Sequence, residues 1–173
     1  EYPDFLRTAE KRLAKAQRKL SKKLKGSHNR EKQRLRVAIL HEKVANQRRD
    51  FLHKKARYLA DRYDVIGIED ISVKAMAKRK KGGKFSFGKS VADNGWNMFT
   101  NMLEYKLAWQ GKKLIKIDKW YPSSQLCHVC GYQNHETKDL SVREWDCPKC
   151  GSHHNRDKNA AINIREEARR ISA

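Results

Sequence analysis

The sequence predicts a mixed α/β chain with a separate metal-binding module near its C-terminus. Three patterns lead to this prediction: a long N-terminal stretch with apolar residues at helical spacing, two runs of β-forming residues that flank a further helix, and two Cys-x2-Cys pairs. The predicted order is a basic helical hairpin over 1–62, a strand–helix–strand core over 63–122, a zinc ribbon over 123–154 and a final helix over 155–173.

The first 60 residues are typical of two helices joined by a short turn. A narrow apolar seam predicts a helix over 4–25, formed by Leu6, Ala9, Leu13, Ala16, Leu20 and Leu24. The stretch "KGSHN" ends this pattern, with Gly26 as a C-cap and Ser27 or Asn29 as the N-cap of a helix that runs to about residue 61. The seam of this second helix is formed by Val37, Leu40, Val44, Phe51, Ala56 and Leu59. Such a pair predicts an antiparallel hairpin, with a plain coiled-coil spacer as the alternative.

Positive charge is concentrated in this hairpin. The chain has a formal net charge of +20, and residues 1–60 hold 19 Lys and Arg against 6 Asp and Glu, whereas residues 126–173 hold 8 against 7. A solvated helix mixes both signs more evenly, so we expect a polyanionic partner. A membrane surface is the weaker alternative, because the helices lack a broad face of Trp, Phe and Leu. No run has membrane-spanning length and no segment has the pattern of a signal peptide, which favours a cytoplasmic location.

The middle of the chain alternates between strand and helix patterns. "YDVIGIED" (63–70) predicts a buried strand that ends in Glu69 and Asp70, and "KKLIKID" (112–118) predicts a second strand. Between them, "AKRKKGGKFSFGKS" (77–90) is typical of a mobile basic loop. A helix over 94–110 then starts at Asn94, ends at Gly111 and has an inner face of Trp96, Phe99, Leu103 and Leu107. This order favours a parallel strand pair with a right-handed crossover.

The four cysteines predict one structural zinc site. Cys127, Cys130, Cys147 and Cys150 form two Cys-x2-Cys pairs that enclose 16 residues, and each pair is followed by a glycine. Four thiolates complete a tetrahedron, so the ion would have no open position for catalysis. Iron or a redox-active cysteine pair is the alternative. We expect His128, His135, His153 and His154 to make surface or polar contacts instead of binding the metal.

The last helix begins with an acid. Asp157 lies at its start, and the predicted inner face consists of Ala161, Ile164, Ala168 and Ile171. Taken alone, Asp157 is typical of a helix-capping acid and Glu69 of an acid that closes a strand.

The order of the motifs changes that interpretation. "GIED", a helix that starts with "NGW", "SSQLCHVCG", "CPKCG" and "NRDKNAAINI" follow one another over residues 63–166. This run resembles the C-terminal nuclease half of TnpB (OrfB), the transposon-associated RNA-guided endonucleases related to type V CRISPR effectors. The basic hairpin is compatible with the resemblance but less diagnostic of it.

The resemblance implies an RNase H-like (RuvC-type) domain, here partial, with an inserted zinc ribbon and a long basic helical hairpin. Such a domain cuts DNA with Mg²⁺ or Mn²⁺ ions, two in the intact protein, held by three acids. Glu69 matches the second acid and Asp157 the third, whereas no residue matches the first, which precedes the hairpin in the family. The N-terminal recognition portion also has no match, so we expect a fragment that is inactive alone. The implied partners are a guide RNA, a target DNA and the missing N-terminal portion.

Several basic residues are candidates for nucleic-acid contacts. Arg156 and Lys158 flank Asp157 and suit a phosphate contact or plain exposure equally well. The other candidates lie on the second helix and in the basic loop: Arg30, Arg34, Arg48, Arg49, Lys78, Arg79, Lys80 and Lys81. A non-catalytic zinc-ribbon regulator derived from the same family is the main alternative. A helical scaffold explains neither the cysteines nor the charge.

Overall fold

The computed structural model describes residues 5–72 and 95–172, with side chains from residue 9 onward. Lys78, Arg79, Lys80, Lys81 and Asn94 therefore lie outside the described residues. The described residues divide into two compact units, one containing residues 5–61, 72 and 95–106 and the other residues 62–71 and 107–172. Among the described helices, none combines the length and apolar content that a membrane crossing needs.

The first unit contains two basic helices, α1 (Phe5–Ser21) and α2 (His28–Arg62). The turn between them lies where it was predicted: Gly26 has a φ of +81°, and the Ser27 hydroxyl accepts the Arg30 N–H at 3.2 Å as an N-cap. α1 ends earlier than predicted, and Leu24 is 79% exposed instead of lying in the seam. The guanidinium of Arg30 donates to the carbonyls of Leu20 and Lys23, which closes the end of α1.

Both helices bury apolar residues, and a buried side-chain hydrogen bond joins α2 to α1. Leu13 and Val44 are each 4% exposed, and the Gln33 side chain is 5% exposed because its amide donates to the carbonyl of Ala16 at 3.0 Å. Val37, Leu40, Phe51 and Leu59 are only half-buried, while Leu52 and Ala60, which the predicted seam omitted, are buried. The seam therefore includes a buried amide that apolar periodicity does not reveal.

Helix α3 (Trp96–Trp109) follows the prediction closely. Leu103 and Leu107 are 1% and 0% exposed. The helix ends in a Schellman motif, in which the N–H of Gly111 donates to Ala108 O and that of Lys112 to Leu107 O. Gly111 has the positive φ, +68°, that this ending requires.

The second unit is built on a parallel pair of strands, β1 (Val65–Glu69) and β2 (Lys113–Ile117). The pairing runs from Val65 opposite Lys113 to Glu69 opposite Ile117, which confirms the predicted parallel pair. The last helix, α4 (Arg156–Ser172), packs on both strands. A Cβ atom on Gly67 would lie 2.7 Å from Cβ of Ala168, so the glycine allows the close approach of β1 to α4.

The segment predicted as a zinc ribbon precedes α4 directly. It contains a 3-10 helix (His135–Lys138) and an antiparallel strand pair, β3 (Glu144–Asp146) and β4 (His153–Asn155). The predicted inner face of α4 is partly wrong, because Ala161 is exposed and Ile171 is 49% exposed. The buried positions of α4 are mostly polar and consist of Arg156, Asn159, Asn163 and Ala168.

Candidate metal and nucleic-acid sites

The four cysteine sulfurs lie in a cluster whose dimensions suit a zinc ion. Their Sγ atoms all lie within 4.8 Å of one another, with 3.7 Å between Cys127 and Cys150 and 3.6 Å between Cys130 and Cys147. Zn–S bonds of about 2.3 Å in a tetrahedron place sulfurs about 3.8 Å apart, close to these distances. All four thiols are free of disulfides. The cluster can therefore hold a tetrahedral metal ion, as the cysteine spacing predicted.

The two Cys-x2-Cys turns have the same backbone construction. Gly131 and Gly151 have φ values of +74° and +72°, and the N–H of each donates at 2.8 Å to the carbonyl of the first cysteine of its pair. The N–H groups of Cys127 and Cys147 donate in turn to the carbonyls of Tyr132 and Ser152. The glycines are needed here because the left-handed conformation lets both thiols turn to one point.

The pKa values of Cys130 and Cys150 are shifted in opposite directions. The Ser152 hydroxyl and N–H lower the pKa of Cys150 to about 6. At Cys130 the N–H of Tyr132 lowers the pKa, but burial and the three neighbouring thiols outweigh it and raise the pKa to about 12. Gathering four thiolates without a counterion is unfavourable, and a bound cation removes this repulsion.

His154 supports the cluster from outside. It is 2% exposed, and its Nε2 lies 3.1 Å from the sulfur of Cys127. Burial first, then the charges of His128 and His153, lower its pKa, so the neutral ring is the favoured form. The ring also contacts Trp145, with 4.7 Å between ring centroids. A hydrogen bond between this ring and the Cys127 sulfur would hold the sulfur in place, and such a contact is of the polar kind expected for the histidines near the cluster.

Glu69 lies at the carboxyl end of β1 and is half-buried. The Ser123 hydroxyl donates to Oε1 of Glu69 at 2.5 Å, and Ser123 is itself 4% exposed. Within residues 5–72 and 95–172, Oε2 of Glu69 has no hydrogen-bond partner. One carboxylate oxygen is thus fixed while the other remains available to a ligand.

Two asparagines of α4 hold the backbone that leads into the first cysteine pair. The Asn163 amide donates to the carbonyls of Ser123 and Leu126 at 2.8 and 2.7 Å, and the Asn159 amide donates to Leu126 at 2.7 Å. Oδ1 of Asn159 accepts the backbone N–H of His128 at 3.1 Å. Asn159 and Asn163 are 1% and 6% exposed. Residues four apart share a helix face, so together they attach residues 123–128 to α4.

Asp157 lies in the first turn of α4 and is 72% exposed. Its carboxylate oxygens lie 3.6 Å from a guanidinium nitrogen of Arg143 and 3.5 Å from one of Arg156. Ion pairs of this length in contact with solvent contribute little to stability. The carboxylate is therefore accessible to a metal ion.

The flanking cations of Asp157 differ in accessibility. The Arg156 side chain is only 8% exposed, and its guanidinium donates to the carbonyl of Asp139 at 3.2 Å. Lys158 is exposed at the start of α4, with its N–H donating to the side chain of Asn155. A phosphate contact therefore suits Lys158 better than Arg156, which joins α4 to the ribbon.

The predicted arginines of α2 also differ. Arg30 caps α1, and Arg34 makes a 2.7 Å ion pair with Glu31. Arg48 is half-buried near Gly95, where its Cδ lies 3.2 Å from the position of a glycine Cβ, whereas Arg49 is exposed. Of these four, Arg49 is the one that is both exposed and without an ion-pair partner among the described residues.

A groove between α1 and α2 presents a denser set of cations that motif analysis did not single out. It has a volume of about 420 Å³ and no acidic residue in its lining, which consists of Arg12, Lys15, Ala16, Lys19, Gln33, Arg36, Ile39 and Leu40. Among the described residues, none of its four cations has an ion-pair partner. The helical spacing of Arg12, Lys15 and Lys19 was the signal available in the sequence.

Ser123, Asn159 and Asn163 were also missed. The signal for the asparagines was their spacing of four residues within an otherwise Ala- and Ile-rich helix, because buried helical asparagines need hydrogen-bond partners. Ser123 carried no comparable signal, since its partner Glu69 lies 54 positions away.

Comparisons with known proteins find two matching family models and several relatives. Residues 96–164 match the family model described as "Cas12f1-like, TNB domain", and residues 1–80 match the OrfB model described as "Probable transposase". A candidate RNA-guided DNA endonuclease of Streptomyces pristinaespiralis is 44% identical over 162 residues, which are 94% of this chain and 39% of the relative. The chain is a relative of TnpB/OrfB. This confirms the resemblance that the motif order carried.

Other relatives extend this similarity. InsQ of Escherichia coli K12, another candidate RNA-guided DNA endonuclease, is 36% identical over 90% of this chain and 40% of its own length. A cryo-EM structure of a Cas12f1–sgRNA–target DNA complex aligns with a TM-score of 0.58 at 24% identity, over 92% of this chain and 41% of that one. The fold is thus that of the corresponding part of Cas12f1. The chain spans about two-fifths of the length of the curated relatives named here.

Proposed function

We propose that this chain is the C-terminal nuclease portion of an RNA-guided, divalent-metal-dependent DNA endonuclease of transposon origin. Its core is RNase H-like and of the RuvC type, and the hairpin and zinc ribbon are inserted in that core. The observation that carries the proposal is the link between the two acids. Glu69, at the carboxyl edge of a parallel strand pair, is joined through Ser123 and Asn163 to α4, and the same helix carries Asp157.

In this proposal Glu69 and Asp157 bind the catalytic Mg²⁺ or Mn²⁺ ions. Carboxylate oxygens are the ligands that these hard cations prefer, and both side chains offer an accessible oxygen. Asn163 lies six residues after Asp157, roughly 9 Å along the helix axis. Two bound ions, roughly 3.5–4 Å apart, would supply an activated water and stabilise the leaving oxygen of a phosphodiester. The third acid implied by the resemblance would come from the rest of the longer protein.

The remaining parts take supporting roles. One structural zinc ion, bound by Cys127, Cys130, Cys147 and Cys150, would fix the start of α4. The basic helices, Lys158 and the loop cations Lys78, Arg79, Lys80 and Lys81 would contact phosphates. Target choice would belong to the guide RNA, with the protein reading backbone and shape. Because guide and target are intracellular, the protein would act inside the cell.

Substitution of the two acids in the longer parent protein tests this proposal. Glu69→Gln and Asp157→Asn keep side-chain size but remove the charge that binds the ions, so each should abolish most Mg²⁺-dependent cleavage. Guide and target binding should stay close to the parental level. Asp70→Asn is the matched control, since Asp70 is exposed beside Glu69 and should be dispensable.

Two results would contradict the proposal. Full cleavage by either acid variant would return that residue to a structural role. Robust cleavage by the 173-residue chain alone would show that the acids are misassigned, because this chain lacks a match for one of the three acids. Target binding without any cleavage by the parent would favour the regulator alternative.

A further inference from the structure

We propose that Ser123 is a positioning residue for Glu69. Through Asn163, this positioning depends on the ribbon loop, which is the segment of residues 123–128 that leads into the first cysteine pair. This inference rests on the proposed function, because it assigns Ser123 a role in presenting one metal-binding acid. Three features of the second unit support it.

The first feature is the hydrogen bond between a buried hydroxyl and the carboxylate. Ser123 is 4% exposed and donates to Oε1 of Glu69 at 2.5 Å. A carboxylate that accepts this bond loses the freedom to rotate its two oxygens past each other. Oε2, which lacks a partner within the described chain, is thereby held toward a ligand. Groups that orient a ligating carboxylate in this way tune its affinity for the metal.

The second feature is the anchoring of the Ser123 backbone. The Asn163 amide bridges the carbonyls of Ser123 and Leu126, and Asn159 makes a second bond to Leu126. All three bonds are 2.7–2.8 Å long and come from asparagines that are at most 6% exposed. The hydroxyl that orients Glu69 is therefore fixed relative to α4, the helix that carries Asp157.

The third feature is continuity with the cysteine cluster. The carbonyl of Leu126 accepts a hydrogen bond from each asparagine, and Leu126 directly precedes Cys127. His128, which follows Cys127, donates its backbone N–H to Oδ1 of Asn159. The N–H of Cys127 and the carbonyl of Tyr132 close the same turn. A metal ion that orders this turn also orders the carbonyls that Asn163 holds. Occupancy of the structural site is thus transmitted to the geometry of Glu69.

Metal titration of cleavage by the longer parent protein tests the role of Ser123. Ser123→Ala should lower activity or raise the Mg²⁺ concentration for half-maximal cleavage by roughly 10–100-fold, the usual cost of losing such an orienting group. Ser123→Thr keeps the hydroxyl and should restore much of the parental titration. Ser124→Ala is the matched control, because the neighbouring serine makes no hydrogen bond within the described residues.

The outcomes separate this inference from the proposed function. Loss of cleavage by Glu69→Gln together with a parental titration for Ser123→Ala would overturn the inference alone. Failure of Ser123→Thr to improve on Ser123→Ala would do the same, since the hydroxyl would then not be the active feature. Full activity of Glu69→Gln would overturn both proposals together.

Hydrogen exchange in the 173-residue chain tests the link to zinc without any activity. Asn163→Ala, and separately removal of zinc with a chelator, should speed amide exchange over residues 123–128 and at the carboxyl end of β1. Unchanged exchange at β1 in both experiments would show that the ribbon does not reach Glu69.

Discussion

Gly67 is the position where a single methyl group should most directly disturb the second unit. A Cβ atom there would lie 2.7 Å from Cβ of Ala168 and 3.2 Å from the carbonyl oxygen of Ile164. Carbon atoms in contact normally sit about 3.5–4.0 Å apart, so the first distance falls short by roughly 1 Å. Neither neighbour is the flexible end of a long side chain, so Gly67→Ala must move β1 away from α4.

The expected cost combines two opposing effects. Overpacking of this kind destabilises by about 1–3 kcal/mol. Replacing glycine by alanine recovers about 0.4–1 kcal/mol by restricting the unfolded chain. The net loss should be roughly 1–2 kcal/mol, which raises the population of the opened state about 5–30-fold.

Hydrogen exchange of the β1 and α4 amides is the suitable assay, because the two compact units need not unfold together. Gly67→Ala should accelerate exchange in both elements by the factor above. Gly26→Ala is the control: its φ of +81° makes it strained, but nothing lies within 4 Å of its Cβ position and it belongs to the other unit. It should leave β1 unaffected.

A double-mutant cycle decides whether the contact with Ala168 is the cause. Ala168→Gly alone should cost about 1 kcal/mol as a glycine in a helix. Combined with Gly67→Ala, it removes the 2.7 Å contact, so the double variant should be more stable than the sum of the single effects predicts by at least about 0.5 kcal/mol. Additive effects, or a Gly67→Ala variant at least as stable as the parent chain, would show that the close approach of β1 to Ala168 does not limit stability.

Two further predictions concern metal and nucleic acid. The purified chain should contain about one zinc ion, as measured by metal analysis. The Cys147→Ser variant should lose the ion and unfold locally over residues 123–157, which hydrogen exchange would detect. The His135→Gln variant is the control and should keep the ion. A chain without zinc, or with disulfide-linked cysteines under reducing conditions, would contradict the assignment. The affinity for nucleic acid should fall steeply as the salt concentration rises. The double variant Lys15→Gln/Lys19→Gln in the groove should weaken binding more than the control Lys54→Gln/Arg57→Gln. In the control, the two cations already form ion pairs with Asp50 and Asp61. Equal effects of the two double variants, or affinity that does not change with salt, would remove the groove from the interface.

Several features follow from local patterns in the sequence. The turn at Gly26, the Schellman end of α3 at Gly111 and the parallel strand pair all matched their predictions. The first two depend on backbone preferences within a short stretch, and the strand pair follows from the order of strand and helix patterns along the chain. Other predictions failed where a partner was distant. Ala161 and Ile171 were predicted on the inner face of α4 because they are apolar, but both are exposed. Backbone carbonyls of residues 123–126 lie against α4 instead, and buried asparagines of α4 donate hydrogen bonds to them.

Residue type and spacing along the chain were enough to indicate the family resemblance, the cluster of four cysteines as a candidate metal site and Glu69 and Asp157 as candidate catalytic acids. How these parts are connected became visible only in the folded chain. The Ser123–Glu69 and Asn163–Ser123 hydrogen bonds join residues 54 and 40 positions apart, and the basic groove forms from side chains on two helices. A hydrogen bond depends on distance and direction in space, and at such separations chain order specifies neither until the core has packed.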